Sequence, residues 1–144
     1  MKRQNTIHSL GTLVQLRTTE VDKLQTELAR QEATRARYAA NLDRLHSLAE
    51  GSGASGRLPH ALALNCGQYK QAVFALADHH RTDLQLHEAN MAVSQRHLAQ
   101  AWTRRELLGK VLEQEQGALS REQERAARKR EDEIATQSWL AGRA

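Results

Sequence analysis

Apolar residues recur in alternating steps of three and four along the first third of the chain. The stripe comprises Ile7, Leu10, Val14, Arg17, Val21, Leu24, Leu28, Gln31, Arg35, Tyr38, Leu42, Leu45 and Ala49. An average step of about 3.5 residues over about six heptads, with charged residues between, is typical of a helix that supercoils around a partner. The pattern predicts one long coiled-coil helix over residues 5–50, with Asn5 or Thr6 as its N-cap.

Glycine interrupts this pattern, because three of the six residues from 51 to 56 are glycine. Such a density opposes a helix, since glycine loses more backbone entropy on ordering than any other residue. Pro59 suits the first turn of a second helix, where its missing amide is not needed, and Asn65 is an alternative start. We predict a loop over residues 51–58 and a second helix over residues 59–140.

A second stripe follows the same steps, except for two consecutive steps of four that end at Leu84. It comprises Tyr69, Val73, Leu76, His80, Leu84, His87, Met91, Ser94, Leu98, Ala101, Arg105, Leu108, Leu112, Glu115, Leu119, Glu122 and Ala126. The doubled step makes a local eleven-residue repeat, which unwinds a left-handed supercoil. The pattern therefore predicts a seam that is straight near the loop and coiled away from it.

A short loop between two long helices favours an antiparallel hairpin. We therefore predict an all-α fold: one coiled-coil domain, residues 1–144, formed by a long two-helix antiparallel hairpin whose second helix is the longer. A tight turn would set Glu50 opposite His60. This register would place Tyr38 near Ala72 and would leave the second helix without an intramolecular partner beyond about residue 107.

The segment from residue 120 to residue 133, in that unpartnered part, carries five basic and five acidic side chains. Interleaved charges of this kind can keep a helix stable in water with almost no apolar stripe. Ile134, Trp139 and Leu140 follow, with no seam to fill. Two interpretations remain for them, a docking point for a partner or a frayed end with an incidental tryptophan.

Composition agrees with a thin helical structure and not with a thick core. The chain has 144 residues but only five aromatic residues and one proline. A globular core needs bulky side chains, whereas a two-helix seam can be filled by Leu, Val and Ala. The length predicts a single domain.

Charge and cysteine content narrow the classes of partner and the compartment. The net charge is +4 and the pI about 9.6, but acidic and basic residues are interleaved, and nucleic-acid binders concentrate the basic excess on one face or tail. We therefore expect no nucleic-acid partner. The single cysteine, Cys66, cannot form an internal disulfide, and no run of about 18 apolar residues is present. We expect a cytoplasmic protein, and peripheral docking on a membrane machine stays open.

Catalytic and metal-binding patterns are weak. His80, Asp83 and His87 share a helical face, but two histidines seven residues apart lie about 10 Å apart along the axis, too far to bind one ion from a single helix. Cys66 has no walls around it to exclude water, and the glycine-rich stretch lacks the Gly-Lys-Ser/Thr ending of a phosphate-binding loop. We expect no enzymatic activity, no catalytic or metal site, no cofactor and no small-molecule substrate.

Polar residues interrupt both stripes. They are Arg17, Gln31 and Arg35 on the first helix, and His80, His87, Ser94 and Arg105 on the second. A polar residue in a coiled-coil seam lowers stability but penalises misaligned pairing. The interruptions indicate register control, a marginally stable hairpin that presents its surface to larger partners, or both.

Two series of residues, one on each helix, resemble a known family. The second helix carries Tyr69-x3-Val73-x2-Leu76-x3-His80 followed by Arg81 and Leu84, similar to an aromatic, Leu, small residue and His series. The first helix carries Gln31-x3-Arg35-x2-Tyr38-x3-Leu42, similar to a Gln, Leu, Tyr, Tyr series from which Arg35 and Leu42 depart. With a hairpin of this length and a charged C-terminal helix, the chain resembles the FliJ family of flagellar type III export over nearly its whole length.

The resemblance implies a stalk similar to the central coiled coil of rotary ATPases. Its partners would be the export ATPase hexamer, the cytoplasmic domain of the membrane export gate, and export chaperones, at the cytoplasmic face of the inner membrane. The resemblance assigns the gate-binding residues as Gln31, Arg35, Tyr38, Leu42, Tyr69, Val73, Leu76 and His80. By the same analogy the end with both termini enters the ATPase ring through Leu10, Val14, Leu108, Leu112, Leu119 and Trp139.

Other functions remain open at this point. One alternative is the equivalent stalk of a virulence type III secretion system. Another, from a different class, is a structural coiled coil that associates with a second copy and has no ATPase partner. Binding of nucleic acid ranks third, and affinity that falls steeply with salt would be its sign.

Overall fold

The computed structural model describes residues 2–51 and 59–143. Two helices account for almost all of these residues, α1 (Lys2–Gly51) and α2 (His60–Ala141), and no strand occurs within those ranges. The predicted fold class is confirmed: the chain is an all-α hairpin whose second helix is longer than its first. Apart from Gly51, the predicted loop lies outside the described residues.

The helix ends differ in detail from the predicted ones. Helix α1 begins at Lys2, so Asn5 and Thr6 lie inside it and cap nothing. The hydroxyl of Thr6 instead donates to the Lys2 carbonyl oxygen at 3.1 Å, as threonine does within helices. Pro59 precedes α2, and its carbonyl accepts from the amide of Ala63 at 2.9 Å. The alternative start at Asn65 is therefore wrong.

The stripe predicted on α1 is the face that α1 buries. Each of its thirteen positions is buried or half-buried, from Ile7 at one end to Ala49 at the other. Among the residues that the structure describes, Val21 is the largest side chain that is completely buried. The 3.5-residue pattern thus located this face correctly, including Gln31 and Arg35, where polar residues occupy it.

The stripe predicted on α2 is wrong at two positions near its start. Tyr69 is 49% exposed and Leu76 is 47% exposed, whereas Ala77 is 0% exposed and Lys70 is half-buried. With Lys70 and Ala77 in the seam, the steps of three and four continue without a break to Leu84, and the predicted eleven-residue step is absent. Alanine fits where two helices approach closely, and the lysine stem can cover apolar surface while its charge stays in water.

The contacts fall into two units, of which one comprises Asp22–Ala99. Within it the helices are antiparallel: the ring of Tyr38 contacts His87, and the ring of His46 lies against Phe74. The predicted register, with Tyr38 near Ala72, is therefore wrong by about four helical turns. The prediction assumed a tight turn directly after Glu50, with His60 opposite it.

The other unit comprises Met1–Val21 and Gln100–Ala144. Arg3 near the start of α1 forms ion pairs with Glu115 at 2.9 Å and Glu122 at 3.1 Å on α2. Half-buried residues continue along α2 to Leu119. The prediction that α2 lacks a partner beyond residue 107 is therefore wrong, and the unpartnered part is shorter. From residue 120 to residue 143, every residue is exposed.

Candidate partner-binding surfaces

The four gate-binding residues predicted on α1 lie on its seam face. Gln31, Arg35, Tyr38 and Leu42 are all half-buried. They share that face because they follow one another in steps of four, three and four, which keeps side chains on one side of a helix. Each of them therefore contributes to the packing of the hairpin, and only part of each side chain is open to a partner.

His87 on α2 joins the polar residues of this face. Its Nε2 lies 2.8 Å from the backbone carbonyl oxygen of Gln31, and its ring meets the ring of Tyr38 edge-on at 5.5 Å between centroids. A carbonyl oxygen only accepts, so Nε2 carries the proton in this contact. The Gln31 side-chain oxygen is buried and has no hydrogen-bond partner among the described residues. The packing here thus combines a cross-helix hydrogen bond with an amide oxygen that remains able to accept one.

Arg35 is held by its own helix. Its Nε and Nη2 donate to both carboxylate oxygens of Glu32, one turn earlier, at 2.6 to 3.1 Å. These hydrogen bonds are the main reason that the pKa of Glu32 is lowered; the charges of Arg35 and His87 act in the same direction. They also raise the pKa of Arg35. The guanidinium is therefore paired at the edge of the seam and does not enter it as a free charge.

The four gate-binding residues predicted on α2 divide into two pairs. Val73 is buried and His80 is half-buried, so both contribute to the seam. Tyr69 and Leu76 lie seven residues apart on the same side of the helix and are about half exposed. Only this second pair presents a substantial apolar surface to a partner.

Tyr38 of the predicted α1 set does not lie opposite the predicted α2 set. Tyr38 contacts His87, which was not in either set, and Phe74 contacts His46 at 6.4 Å between centroids. The prediction that Tyr38 lies near Ala72, within the series from Tyr69 to His80, is therefore wrong. It fails for the same reason as the predicted register.

Phe74 is an exposed aromatic that the stripe analysis omitted. Its ring is partly exposed, and the ammonium group of Lys70 lies 5.9 Å from its centroid. The side chain of Arg81, one of the family-like residues, reaches across to His46 Nε2 at 3.1 Å. The sequence contains a sign of this exposure, because Phe74 is a large apolar residue that lies next to the stripe but does not belong to it.

The residues predicted to enter an ATPase ring are mostly seam residues. Leu10, Val14, Leu108, Leu112 and Leu119 are all half-buried. They lie on the faces that pack α1 and α2 within the unit that holds both termini. Their first role is to hold this unit together.

Trp139 is the exception among the ring residues. It is 57% exposed, and the guanidinium carbon of Arg143 lies 4.1 Å from its ring centroid. Further exposed apolar residues of this unit that lie off the two stripes are Leu13, Leu16, Trp102, Leu107 and Val111.

Within residues 2–51 and 59–143, no group of three or more His, Cys, Asp or Glu side chains is placed to hold a metal ion. No helix in those ranges is both long enough and apolar enough to cross a membrane. The described surface carries exposed apolar side chains on both helices and an exposed, charged C-terminal part of α2.

Comparison with known proteins gives one finding at the level of the family. The family model described as the flagellar FliJ protein matches residues 6–144. Neither the curated proteins nor the solved structures include a match to this chain. The matched region contains nearly all of both helices, including the exposed C-terminal segment. The chain belongs to the FliJ family of flagellar export proteins.

Proposed function

We propose that this protein couples the flagellar export ATPase to the membrane export gate and escorts export chaperones. The match of the FliJ family model to residues 6–144 is the observation that carries the proposal. The hairpin with a longer second helix is compatible with it, because a stalk inside a ring must be helical and must present its end to the ring. The proposed location is the cytoplasmic face of the inner membrane.

The exposure of each residue refines the proposed gate-binding surface. We assign direct contact to Tyr69 and Leu76, whose side chains are about half exposed. Val73 is buried and His80 half-buried, so we assign them a supporting role in packing α2 beneath that surface. The proposal also keeps the exposed part of four half-buried side chains of α1, those of Gln31, Arg35, Tyr38 and Leu42.

The ring-binding surface is refined in the same way. Residues 120–143 form an exposed helical segment past the seam, and Trp139 near its end offers a large apolar side chain. Aromatic residues with exposed rings are the usual energetic centres of protein interfaces. We therefore propose that this segment contacts the ATPase, while Leu10, Val14, Leu108, Leu112 and Leu119 keep α1 and α2 together beside it.

Gate binding is tested by a matched set of substitutions on α2. Leu76→Ala and Tyr69→Ala should each weaken binding to the gate's cytoplasmic domain at least about fivefold, measured by titration calorimetry, with the helical circular dichroism unchanged. Leu86→Ala is the control, since Leu86 is also an exposed leucine of α2 outside the predicted set. Equal affinity of all three variants and the unchanged protein would contradict the gate-binding assignment.

The ATPase contact is tested by removing the exposed segment. A chain that ends at Glu122 keeps every half-buried residue of α2 and both ion pairs of Arg3, so it should fold but fail to stimulate ATP hydrolysis by the cognate ATPase. Trp139→Ala in the full chain should reduce stimulation in part, and Leu107→Ala, an exposed leucine outside the segment, should leave it intact. Full stimulation by the shortened chain would contradict the assignment.

Chaperone escort needs a separate measurement. We expect substrate-free export chaperones to be retained by the immobilised full chain and chaperones loaded with substrate to be released. Retention of neither form, under conditions in which the ATPase binds, would remove chaperone escort from the proposal and leave the ATPase and gate contacts standing.

A further inference from the structure

Four exposed apolar side chains of the unit that holds both termini lie beside the seam and not in it. They are Leu13 and Leu16 on α1 and Leu107 and Val111 on α2, and each is 40–60% exposed. The residues of the first pair are three apart and those of the second pair four apart, so each pair lies on one side of its helix. Together these four residues form the flank patch.

Both pairs lie on the same flank of the hairpin, opposite a groove. The lining of that groove includes Val14 and Thr18 of α1 and Arg105 and Gly109 of α2. Viewed along α1, Thr18 is rotated from Val14 by about 40° in one direction and Leu13 by about 100° in the other. Viewed along α2, Gly109 is rotated from Arg105 by about 40° in the first direction and Val111 by about 120° in the other. The groove holds the first direction of both helices, so the flank patch holds the second.

The two pairs also lie at the same level along the hairpin. Arg3 on α1 pairs with Glu115 and Glu122 on α2, so the numbers of residues at one level add up to between 118 and 125. The numbers of Leu13 and Val111 fall within these limits, and so do those of Leu16 and Leu107. The flank patch is therefore one continuous apolar surface that spans both helices.

Charged residues are missing from the part of α1 that carries the patch. The residues from 4 to 16 include no Asp, Glu, Lys or Arg, in a chain in which these types make up 26%. Loss of charge marks the centre of a protein interface. An apolar arc that extends from the seam onto one flank is typical of helices in a four-helix bundle, since each of them packs against two neighbours. The flank patch therefore fits a further layer of helices.

A second copy of the same hairpin supplies that layer and matches the charges beside the patch. Glu20 lies seven residues after Leu13, and Arg104 lies seven residues before Val111, so both are on the patch's flank. A two-fold axis parallel to the helices places α1 of each copy over α2 of the other. This axis sets Leu13 over Val111 and Glu20 over Arg104. An axis across the helices would place α1 over α1 and leave both charges opposite uncharged residues.

We propose that two copies of this protein associate through the flank patch into a four-helix bundle, with α1 of each copy on α2 of the other. The contact buries four apolar side chains from each copy, and Glu20 and Arg104 pair twice at its edge. Its area is small, so it belongs with the weak, reversible interfaces, with a dissociation constant of about 10–100 µM. The proposal does not rest on contacts with an ATPase or a gate, because none of the four residues belongs to either surface.

Sedimentation equilibrium of the full chain tests the association. A monomer–dimer equilibrium should appear between about 5 and 200 µM. Leu16→Gln and Leu107→Gln should each raise the dissociation constant at least about tenfold. Leu86→Gln is the matched control, because Leu86 is a leucine of α2 that is 61% exposed and lies outside the patch. A monomer at all concentrations would overturn the proposal and leave the patch to a different protein. Equal weakening by the control would also overturn it.

Charge exchange tests the alignment of the two copies. Glu20→Arg or Arg104→Glu alone sets like charges against each other twice, so each should raise the dissociation constant at least about threefold. Both substitutions in one chain restore opposite charges and should restore the original value. No recovery in the double variant would overturn the proposed alignment.

Crosslinking tests the axis. Ser9 and Gln114 lie seven residues from Leu16 and Leu107, at the end of the patch away from Glu20. In a Cys66→Ser background, the proposed axis sets Ser9→Cys of one copy over Gln114→Cys of the other. Two copies of either variant alone would hold their thiols across the diagonal of the bundle. Mild oxidation at about 200 µM should therefore crosslink the mixture and leave each variant alone uncrosslinked. A dimer without this crosslink would overturn the proposed axis.

Discussion

Substitution of two adjacent residues, Leu76 and Ala77, tests which of them lies in the seam. The apolar pattern predicts that Leu76 is buried, and the structure places Ala77 there instead. We therefore compare Leu76→Gln with Ala77→Gln. Both variants introduce the same residue one position apart, so the helix propensity and polarity of the new side chain are matched between them.

The expected magnitudes follow from the exposed fractions. Leu76 is 47% exposed, so about half of the 1.5–3 kcal/mol for full burial of a leucine is realised, and Leu76→Gln should cost about 1 kcal/mol. Ala77 is 0% exposed. A glutamine there must bury an unpaired amide, at about 1–3 kcal/mol, and must also find room for four more heavy atoms, at about 1–3 kcal/mol. Ala77→Gln should therefore cost about 2–6 kcal/mol.

Urea unfolding followed by circular dichroism at 222 nm measures this difference. We expect the midpoint to fall more for Ala77→Gln than for Leu76→Gln, with the same dependence of the free energy of unfolding on urea in both. The gap should be at least about 1 kcal/mol. Equal costs, or a larger cost for Leu76→Gln, would refute the seam assignment and restore the one that the apolar pattern alone predicts.

Three further predictions concern polar contacts. His87→Ala removes a cross-helix hydrogen bond and a ring contact and should lower the free energy of unfolding by about 1–2 kcal/mol, whereas the exposed control His97→Ala should change it by less than about 0.5 kcal/mol. The hydrogen bonds to Arg35 lower the pKa of Glu32, so their contribution to stability is present above the ordinary carboxylate pKa and is lost as the pH falls through the lowered value. In an NMR titration, Arg35→Gln should therefore raise the pKa of Glu32. An unchanged pKa would contradict the contact. Arg3→Gln breaks two ion pairs and should speed amide exchange in the first turns of α1 at low salt but not at high salt; equal exchange rates at both would contradict a role for these pairs.

The sequence predicts α1 accurately because its apolar residues and its buried face coincide. All positions of the α1 stripe, from Ile7 to Ala49, are buried or half-buried, and these include polar positions such as Arg17. Geometry explains why this works: a period of 3.5 residues fixes one face of a helix whatever residue occupies a given position. The polar residues in the stripe do not obscure this face, because the steps of three and four continue unbroken on both sides of them.

The prediction from the sequence is wrong at the start of α2, where Ala77 is buried and the larger apolar residue beside it, Leu76, is not. Leu76 is more hydrophobic than Ala77, but the space between close helices accommodates only the smaller side chain. The register error is a separate one and follows from the assumption of a tight turn after Glu50, because a change of one position on α2 cannot shift the pairing by 10 or more residues. Register depends on how two faces interlock over many turns, which a pattern along one helix does not specify.

The candidate surfaces show the same limit. Resemblance to the FliJ family selected Tyr69 and Val73 together, but only the exposure of each residue separates an outward-facing side chain from a seam residue. Trp139 was identified from the sequence because no seam continues that far. Trp102 was missed because it lies on a paired part of α2 and faces outwards.

The single seam also determines which parts of this protein are free to change. The buried apolar residues of the described part of the chain number six, and they are Val21, Ala49, Val73, Ala77, Met91 and Ala101. Most of each helical turn faces water and supports no second layer of structure. Substitutions on those outer faces leave folding almost unaffected, so selection can alter the recognition of partners there independently of the hairpin. Binding specificity in such a chain can diverge rapidly while its architecture stays constant.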